Sequence, residues 1–313
     1  MTQTILVPSS WSDDLKAFTA TLPDNIRLNS QWSSQTETDS EALGLCCESV
    51  QDLEALKGYK NIEVVSFTGT GISDVLEMPI VQGRSLTLCN IRDYASVDVA
   101  EHAVALMFGL AKKLVEGENL IRNGSWSTGD LWGLRLHGKK LGLLGLGSIG
   151  SEVARMARAL GMQVLYWSRN RHADTENQLG ISYVSFKQVF EYSDFVSLHL
   201  ALNEETKGIV GQEEFRSMKQ GSFLINTARG GLVEIEALIH SLRSGQLAGA
   251  GLDVFEEEPL PSTHELRGLQ NVLLSPHVGA ATTEGIRRSR EECLLNVVLY
   301  LRGKPRNVVR AGS

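Results

Sequence analysis

Apolar and polar positions along this chain follow two rhythms. Short apolar runs bounded by turn residues predict buried strands at 5–7, 42–46, 63–67, 85–90, 141–144, 163–167, 195–200, 223–225, 248–254 and 272–274. Helical spacing predicts helices over 14–22, 50–56, 97–114, 213–218, 234–242 and 282–301. The longest early one carries Val99, His102, Ala103, Leu106, Met107 and Leu110 on one stripe. Strands alternating with helices predict an α/β protein: a doubly wound parallel sheet built around 141–144, and a smaller, discontinuous α/β domain. The expected boundaries are 98–280 for the larger domain and 1–97 with 281–313 for the smaller, with hinges near residues 97 and 280.

The 313 residues suffice for two domains, and 42% hydrophobic with 21% charged residues is globular composition. A formal charge of −7 and a pI near 5.6 argue against nucleic acid or an anionic membrane surface as partner. Cys46, Cys47, Cys89 and Cys293 fit neither a metal spacing nor a disulfide framework, so no metal is expected and a reducing cytoplasm suits them. The N-terminal residues lack a charged and then apolar leader pattern, which predicts neither export nor a membrane span.

The stretch Gly145-Leu146-Gly147-Ser148-Ile149-Gly150 sits between a predicted strand and a predicted helix, where G-x-G-x-x-G binds a dinucleotide. Gly145 allows a sharp turn, Gly147 leaves bare backbone for a pyrophosphate, and Gly150 lets helix and strand pack closely. About twenty residues on, where NAD-binding chains place a carboxylate for the ribose 2′-hydroxyl, stands Ser168-Arg169-Asn170-Arg171. Serine and guanidinium groups suit a 2′-phosphate, so NADP(H) is the expected cofactor, with NAD(H) the alternative.

Four polar features follow predicted strands, on the edge where open α/β sheets bind ligands: Gly69-Thr70, Arg229, Glu258 and His277. An arginine grips a carboxylate, a histidine changes charge near neutral pH, and a carboxylate can keep that histidine protonated. A carboxylic acid beside a dinucleotide suggests hydride transfer. His199 reads as structural or cofactor-contacting, and His102 has no chemical partner legible in the sequence.

These motifs, in this order, resemble the D-2-hydroxyacid dehydrogenase family over nearly the whole chain. The resemblance runs through the glycine fingerprint, Leu198-His199-Leu200-Ala201-Leu202 with Glu205-Thr206-Lys207-Gly208, Asn226-Thr227-Ala228-Arg229-Gly230, Leu252-Asp253-Val254-Phe255-Glu256-Glu257-Glu258-Pro259 and Ser275-Pro276-His277-Val278-Gly279. Thr68-Gly69-Thr70 and Cys89-Asn90-Ile91-Arg92-Asp93-Tyr94 look most like glycerate dehydrogenases and hydroxypyruvate or glyoxylate reductases.

The resemblance implies a Rossmann domain, a flavodoxin-like substrate domain and a homodimer formed through the Rossmann domain. Arg229 would bind the substrate's carboxylate and keto group, and Glu258 would pair with His277, the general acid and base. Gly69 and Thr70 would receive the substrate carboxylate, and Asp253 would orient the nicotinamide carboxamide. The cofactor would further touch Leu146, Gly147, Ser148, Ile149, Ser168, Arg169, Asn170, Arg171, His199, Leu200, Ala201, Thr206, Thr227, Ala228 and Gly279. Two departures are visible: Ser168 replaces the acidic residue of NAD-using members, and Ala201 replaces a common proline. The segment before residue 60 matches poorly.

The expected reaction is transfer of hydride from NADPH to the keto carbon of a small 2-oxo acid, with protonation by His277, giving a D-2-hydroxy acid. The alternatives are a nucleotide-sensing, corepressor-like binding protein on the same scaffold and a phosphite-type dehydrogenase. The latter resembles a pattern with lysine where Thr68 stands.

Overall fold

The computed structural model describes residues 2–32, 42–126, 129, 131–310 and 312. Its strands, in chain order, are β1 (Gln3–Leu6), β2 (Ile26–Asn29), β3 (Ala42–Cys47), β4 (Val64–Phe67), β5 (Thr87–Cys89), β6 (Lys140–Leu144), β7 (Gln163–Trp167), β8 (Ser182–Tyr183), β9 (Phe195–Leu198), β10 (Ser222–Asn226), β11 (Leu247–Leu252), β12 (Val272–Leu274) and β13 (Val308–Arg310). The chain divides into two units, Met1–Ala95 with Thr282–Ser313, and Ser96–Ala281.

In the smaller unit one sheet runs β13-β5-β4-β3-β1-β2. It is parallel except for β13, which pairs antiparallel with β5. Because side chains alternate across a strand, neighbours serve opposite faces. Ile5 and Val64 pack with Trp11, Cys293 and Val297, whereas Leu6 and Val65 pack with Leu53 and Leu88. Helix Thr283–Leu301 lies against this sheet where Gly44 admits it: a Cβ there would meet Val297 Cγ1 at 2.3 Å. The four cysteines are free and buried. Burial pushes the Cys89 thiol up to about 11 and raises Cys46 and Cys47 well above the ordinary range, which leaves them protonated and unreactive. The pattern analysis did not identify β2, β8 or β13. Each is short, and of β2 only Ile26 is buried, so no apolar run marks it.

The larger unit is a wholly parallel sheet in the order β12-β11-β10-β9-β6-β7-β8. Its two faces are covered separately. Leu143, Phe195 and Ile225 pack with Ala103, Leu106 and Met107 of helix Ser96–Lys112, while Leu144, Val196 and Leu224 pack with Phe215 and Leu238. The connection order reverses between β6 and β9, and a crevice at such a switch point is where doubly wound sheets take their ligands.

The predicted helix over 97–114 is interrupted. Leu134 N–H captures the Ala111 carbonyl at 2.6 Å, a carbonyl that a continuous helix would offer to residue 115. Lys113 then adopts a left-handed φ of 51°, and a second helix, Leu114–Arg122, begins. Two further helices, Ala173–Leu179 and Phe186–Tyr192, flank β8 without having been marked by the apolar pattern.

Candidate active site

The glycine fingerprint turns from β6 into helix Ser148–Ala159, with Gly147 as its cap. Gly145 has φ +100°, and a Cβ there would lie 2.5 Å from the His199 carbonyl oxygen. A Cβ on Gly150 would lie 2.4 Å from the Gly145 carbonyl oxygen, so β6 and the helix touch through bare backbone. Among the described residues nothing stands within 4 Å of the Cβ position at Gly147, and the Gly147 cap makes no side-chain hydrogen bond. Open space at a helix N-terminus is what a pyrophosphate requires. Leu146, Ser148 and Ile149 flank that space in sequence.

His199 lies just beyond β9, with Nε2 2.9 Å from Ser197 Oγ. Burial lowers its pKa to about 4, which keeps it neutral at pH 7. Leu200 supports Gly145, its Cδ2 standing 3.2 Å from the Cβ position. Farther along, Thr206 Oγ1 donates to Ala201 O at 2.7 Å, so its hydroxyl shapes the 201–206 turn.

At the end of β7, Ser168 is buried and its hydroxyl donates to Asn170 O. Arg169 is exposed and stands 3.5 Å from Glu205. Arg171 makes a bidentate pair with Glu176, Nε and Nη2 each at 2.8 Å. Tyr166 Oη also donates to Glu176, at 2.7 Å. The Arg171 and Tyr166 hydrogen bonds hold the Glu176 carboxyl down to about 2. The two arginines are therefore oriented by carboxylates.

Arg229, Glu258 and His277 follow β10, β11 and β12, three adjacent strands in register through Asn226↔Leu252 and Leu252↔Leu274. Asn226, only 1% exposed, shapes the first loop: its Oδ1 accepts from Ala228 N–H and its Nδ2 donates to Arg229 O. The Arg229 side chain is exposed, with Nη1 on Ala228 O at 2.7 Å. Thr227 Oγ1 is buried without a hydrogen-bond partner among the described residues. An orphaned hydroxyl at a strand end fits a ligand that supplies the partner.

In the second and third loops Glu258 Oε2 lies 2.6 Å from His277 Nδ1, and Glu258 Oε1 accepts from Phe255 N–H at 2.9 Å. His277 itself has φ +54°. Asp253, 1% exposed, holds the backbone of this turn. Its Oδ1 accepts from Val278 N–H and Ser275 Oγ, its Oδ2 accepts from Gly279 N–H, and its carbonyl accepts from His277 N–H. Burial opposes ionisation of Asp253, but hydrogen bonds from His102, Ser275, Val278 and Gly279 outweigh it and lower its pKa.

The expectation that His102 lacks a partner is corrected here. Its Nε2 is 2.8 Å from Ser275 Oγ and 3.3 Å from Asp253 Oδ1. Those partners are more than 150 residues away in sequence, beyond the reach of any local pattern. Gly69 and Thr70 belong to the smaller unit, just after β4. Asn90 Nδ2 donates to Thr70 O at 2.7 Å and Ile91 N–H to Gly69 O, which ties both loop carbonyls to the end of β5.

Residues 104–279 match the family described as "D-isomer specific 2-hydroxyacid dehydrogenase, NAD binding domain". The chain is 36% identical over 276 residues to a glyoxylate reductase of Korarchaeum cryptofilum, covering 87% of this chain and 83% of the relative. It is 35% identical over 266 residues to a glycerate dehydrogenase of Methylorubrum extorquens, covering 82% of each. Among solved structures, D-lactate dehydrogenase with NAD+ from Lactobacillus jensenii superposes with a TM-score of 0.83 at 26% identity, over 98% of this chain and all of that one. The Gly147 cradle and the orphaned Thr227 hydroxyl agree with a nicotinamide dinucleotide as the bound group. The chain belongs to the D-isomer-specific 2-hydroxyacid dehydrogenase family and is an NAD(P)-dependent oxidoreductase acting on CH–OH donors.

Proposed function

We propose that this protein reduces a small 2-oxo acid of the hydroxypyruvate or glyoxylate type to the D-2-hydroxy acid, with NADPH the preferred reductant. The observation that carries the reading is the 2.6 Å contact of His277 Nδ1 with Glu258 Oε2 on the loops after adjacent strands. It commits one ring nitrogen to a carboxylate and leaves Nε2 to carry the exchangeable proton. The glyoxylate reductase and glycerate dehydrogenase relatives support the substrate class.

When bound, the reduced nicotinamide supplies the hydride. Every other requirement falls to side chains and amides of the chain. His277 delivers a proton to the substrate oxygen from Nε2 while Glu258 stabilises the charged ring. Arg229 pairs with the carboxylate and polarises the keto group, work suited to a guanidinium fork. Gly69 and Thr70 of the smaller unit are assigned to the substrate, as amides for a carboxylate. In the larger unit Asp253, whose Oδ2 accepts from Gly279 N–H, would orient the carboxamide, and Thr227 with Ala228 would also contact the cofactor. Ser168, Arg169, Asn170 and Arg171 form the ribose-phosphate end, where a permanently charged guanidinium favours the 2′-phosphate of NADPH.

A panel of 2-oxo acids assayed with NADPH and with NADH tests this reading. Turnover of hydroxypyruvate or glyoxylate, faster with NADPH, is expected; binding of NADPH without oxidation by any 2-oxo acid would overturn it. We further propose a homodimer through the larger unit. Trp126 and Trp132 are 89% and 84% exposed, and Leu114 and Ile121 of helix Leu114–Arg122 are over half exposed, apolar side chains that a second copy would cover. Trp132→Glu is expected to shift the protein to monomer in size-exclusion chromatography with light scattering.

A further inference from the structure

His102 is a histidine that neither the fingerprint nor the three catalytic loops account for. It sits in the middle of helix Ser96–Lys112, and its Nε2 lies 2.8 Å from Ser275 Oγ. The direction of each hydrogen bond follows from counting protons. Ser275 has one hydroxyl proton, and at 2.6 Å from Asp253 Oδ1 that proton belongs on the carboxylate, which is ionised. Ser275 Oγ must then accept from His102, so His102 carries its proton on Nε2. The resulting sequence of donors runs His102 to Ser275 to Asp253, and the same Nε2 also stands 3.3 Å from Asp253 Oδ1.

Asp253 passes this order on to the turn carrying His277. Its carboxylate takes the amides of Val278 and Gly279, at 2.9 and 2.8 Å, and its carbonyl takes the His277 amide at 2.8 Å. His277 is held at φ +54°, a conformation that a residue with a side chain rarely keeps without support. Packing adds to the hydrogen bonds. A Cβ on Gly279 would lie 3.0 Å from Asp253 Oδ2 and 3.7 Å from both His102 Cδ2 and Val99 Cγ1, so the turn rests on that helix face.

We infer that His102 is a positioning residue: through Ser275 and Asp253 it fixes the backbone turn that aims His277. This rests on the proposed role of His277, so its test includes a readout that needs no turnover. The full-length protein is compared as wild type, His102→Leu, His102→Gln, Ser275→Ala and the His102→Leu/Ser275→Ala double variant. Hydrogen–deuterium exchange of the segment holding Val278 and Gly279 is followed alongside kcat and KM with hydroxypyruvate and NADPH.

With the donor gone, His102→Leu is expected to exchange these amides about tenfold faster and to lose about tenfold in kcat, with KM values held within about twofold. Glutamine offers an N–H in place of Nε2, so His102→Gln is expected to recover most of both. Ser275→Ala keeps the 3.3 Å approach of His102 Nε2 to Asp253 Oδ1, so it is expected to lose no more than His102→Leu, and the double variant should lose less than the product of the singles, because both act on one carboxylate. Unchanged exchange in both His102→Leu and Ser275→Ala would overturn the inference, as would losses that multiply in the double variant. If the leucine variant does not fold, the glutamine and serine variants decide on the same criteria. A wild type inactive with every 2-oxo acid would instead overturn the reading of His277, while the exchange data still judge the turn.

Discussion

Two loops in the larger unit each seat a basic side chain on a glutamate, and they suit opposite chemical tasks. After β7, Arg171 is gripped through two 2.8 Å hydrogen bonds by Glu176, which Tyr166 steadies. After β11 and β12, His277 meets Glu258 through one nitrogen at 2.6 Å, on a turn pinned by the buried Asp253. A guanidinium stays charged across the whole working range, so the first loop can only bind. An imidazole gains and loses its proton near neutrality, so the second can also transfer one. Similar anchoring thus suits a clamp in one place and, under the proposed function, an acid in the other, according to the cation that the carboxylate holds.

The sharpest way to separate the two loops is to remove each cation in turn. His277→Ala is expected to lower kcat by about a hundred to ten thousand fold while NADPH affinity is unchanged. Arg171→Ala should do the reverse, raising the KM for NADPH by about tenfold with kcat retained at saturation. Steady-state kinetics with both concentrations varied distinguishes these outcomes, and a loss of kcat in Arg171→Ala would erase the contrast.

A smaller change follows from rebuilding the first loop. Ser168→Asp with Arg169→Ala places a carboxylate where it accepts from a ribose hydroxyl and repels a 2′-phosphate. The ratio of kcat/KM for NADPH over NADH is expected to fall by about tenfold or more; an unmoved ratio would show that Ser168 to Arg171 do not select the cofactor.

The smallest effect lies beside the fingerprint. His199 has its pKa depressed to about 4 by burial, against about 6.5 when unfolded. The unfolded chain therefore takes up the proton first, so the stability from neutral His199 is complete above about pH 6.5 and is lost as pH falls toward 4. Glu176, lowered to about 2, gives a contribution lost only below about pH 4.5, so the two windows do not coincide. Thermal unfolding is expected to show a decline in Tm between pH 7 and 5 that is shallower in His199→Gln. Equal slopes would remove His199 as the cause.

Much of this was legible in the sequence because it is local. The run 141–144, the three glycines and the following helical spacing are contiguous, and each glycine meets the constraint read from it. Arg229, Glu258 and His277 could be listed as strand-end residues because β10, β11 and β12 are marked by apolar runs. What escaped the reading depends on contacts between distant segments. The helix break at Lys113 comes from Leu134 capturing the Ala111 carbonyl, and no feature near Lys113 announces it. His102 looked like one more position on an amphipathic stripe until the fold set it against Ser275. Edge strands such as β2 bury too little to leave a periodic trace.

The most direct test of the central claim follows one atom. NADPH carrying deuterium at the transferable nicotinamide position is incubated with the protein and hydroxypyruvate, and the product is examined by mass spectrometry and chiral chromatography. The expected result is D-glycerate bearing one deuterium on carbon 2, formed about a hundredfold or more slowly when His277→Ala replaces the wild type. Unlabelled product, the L isomer, or undiminished turnover by the variant would contradict it.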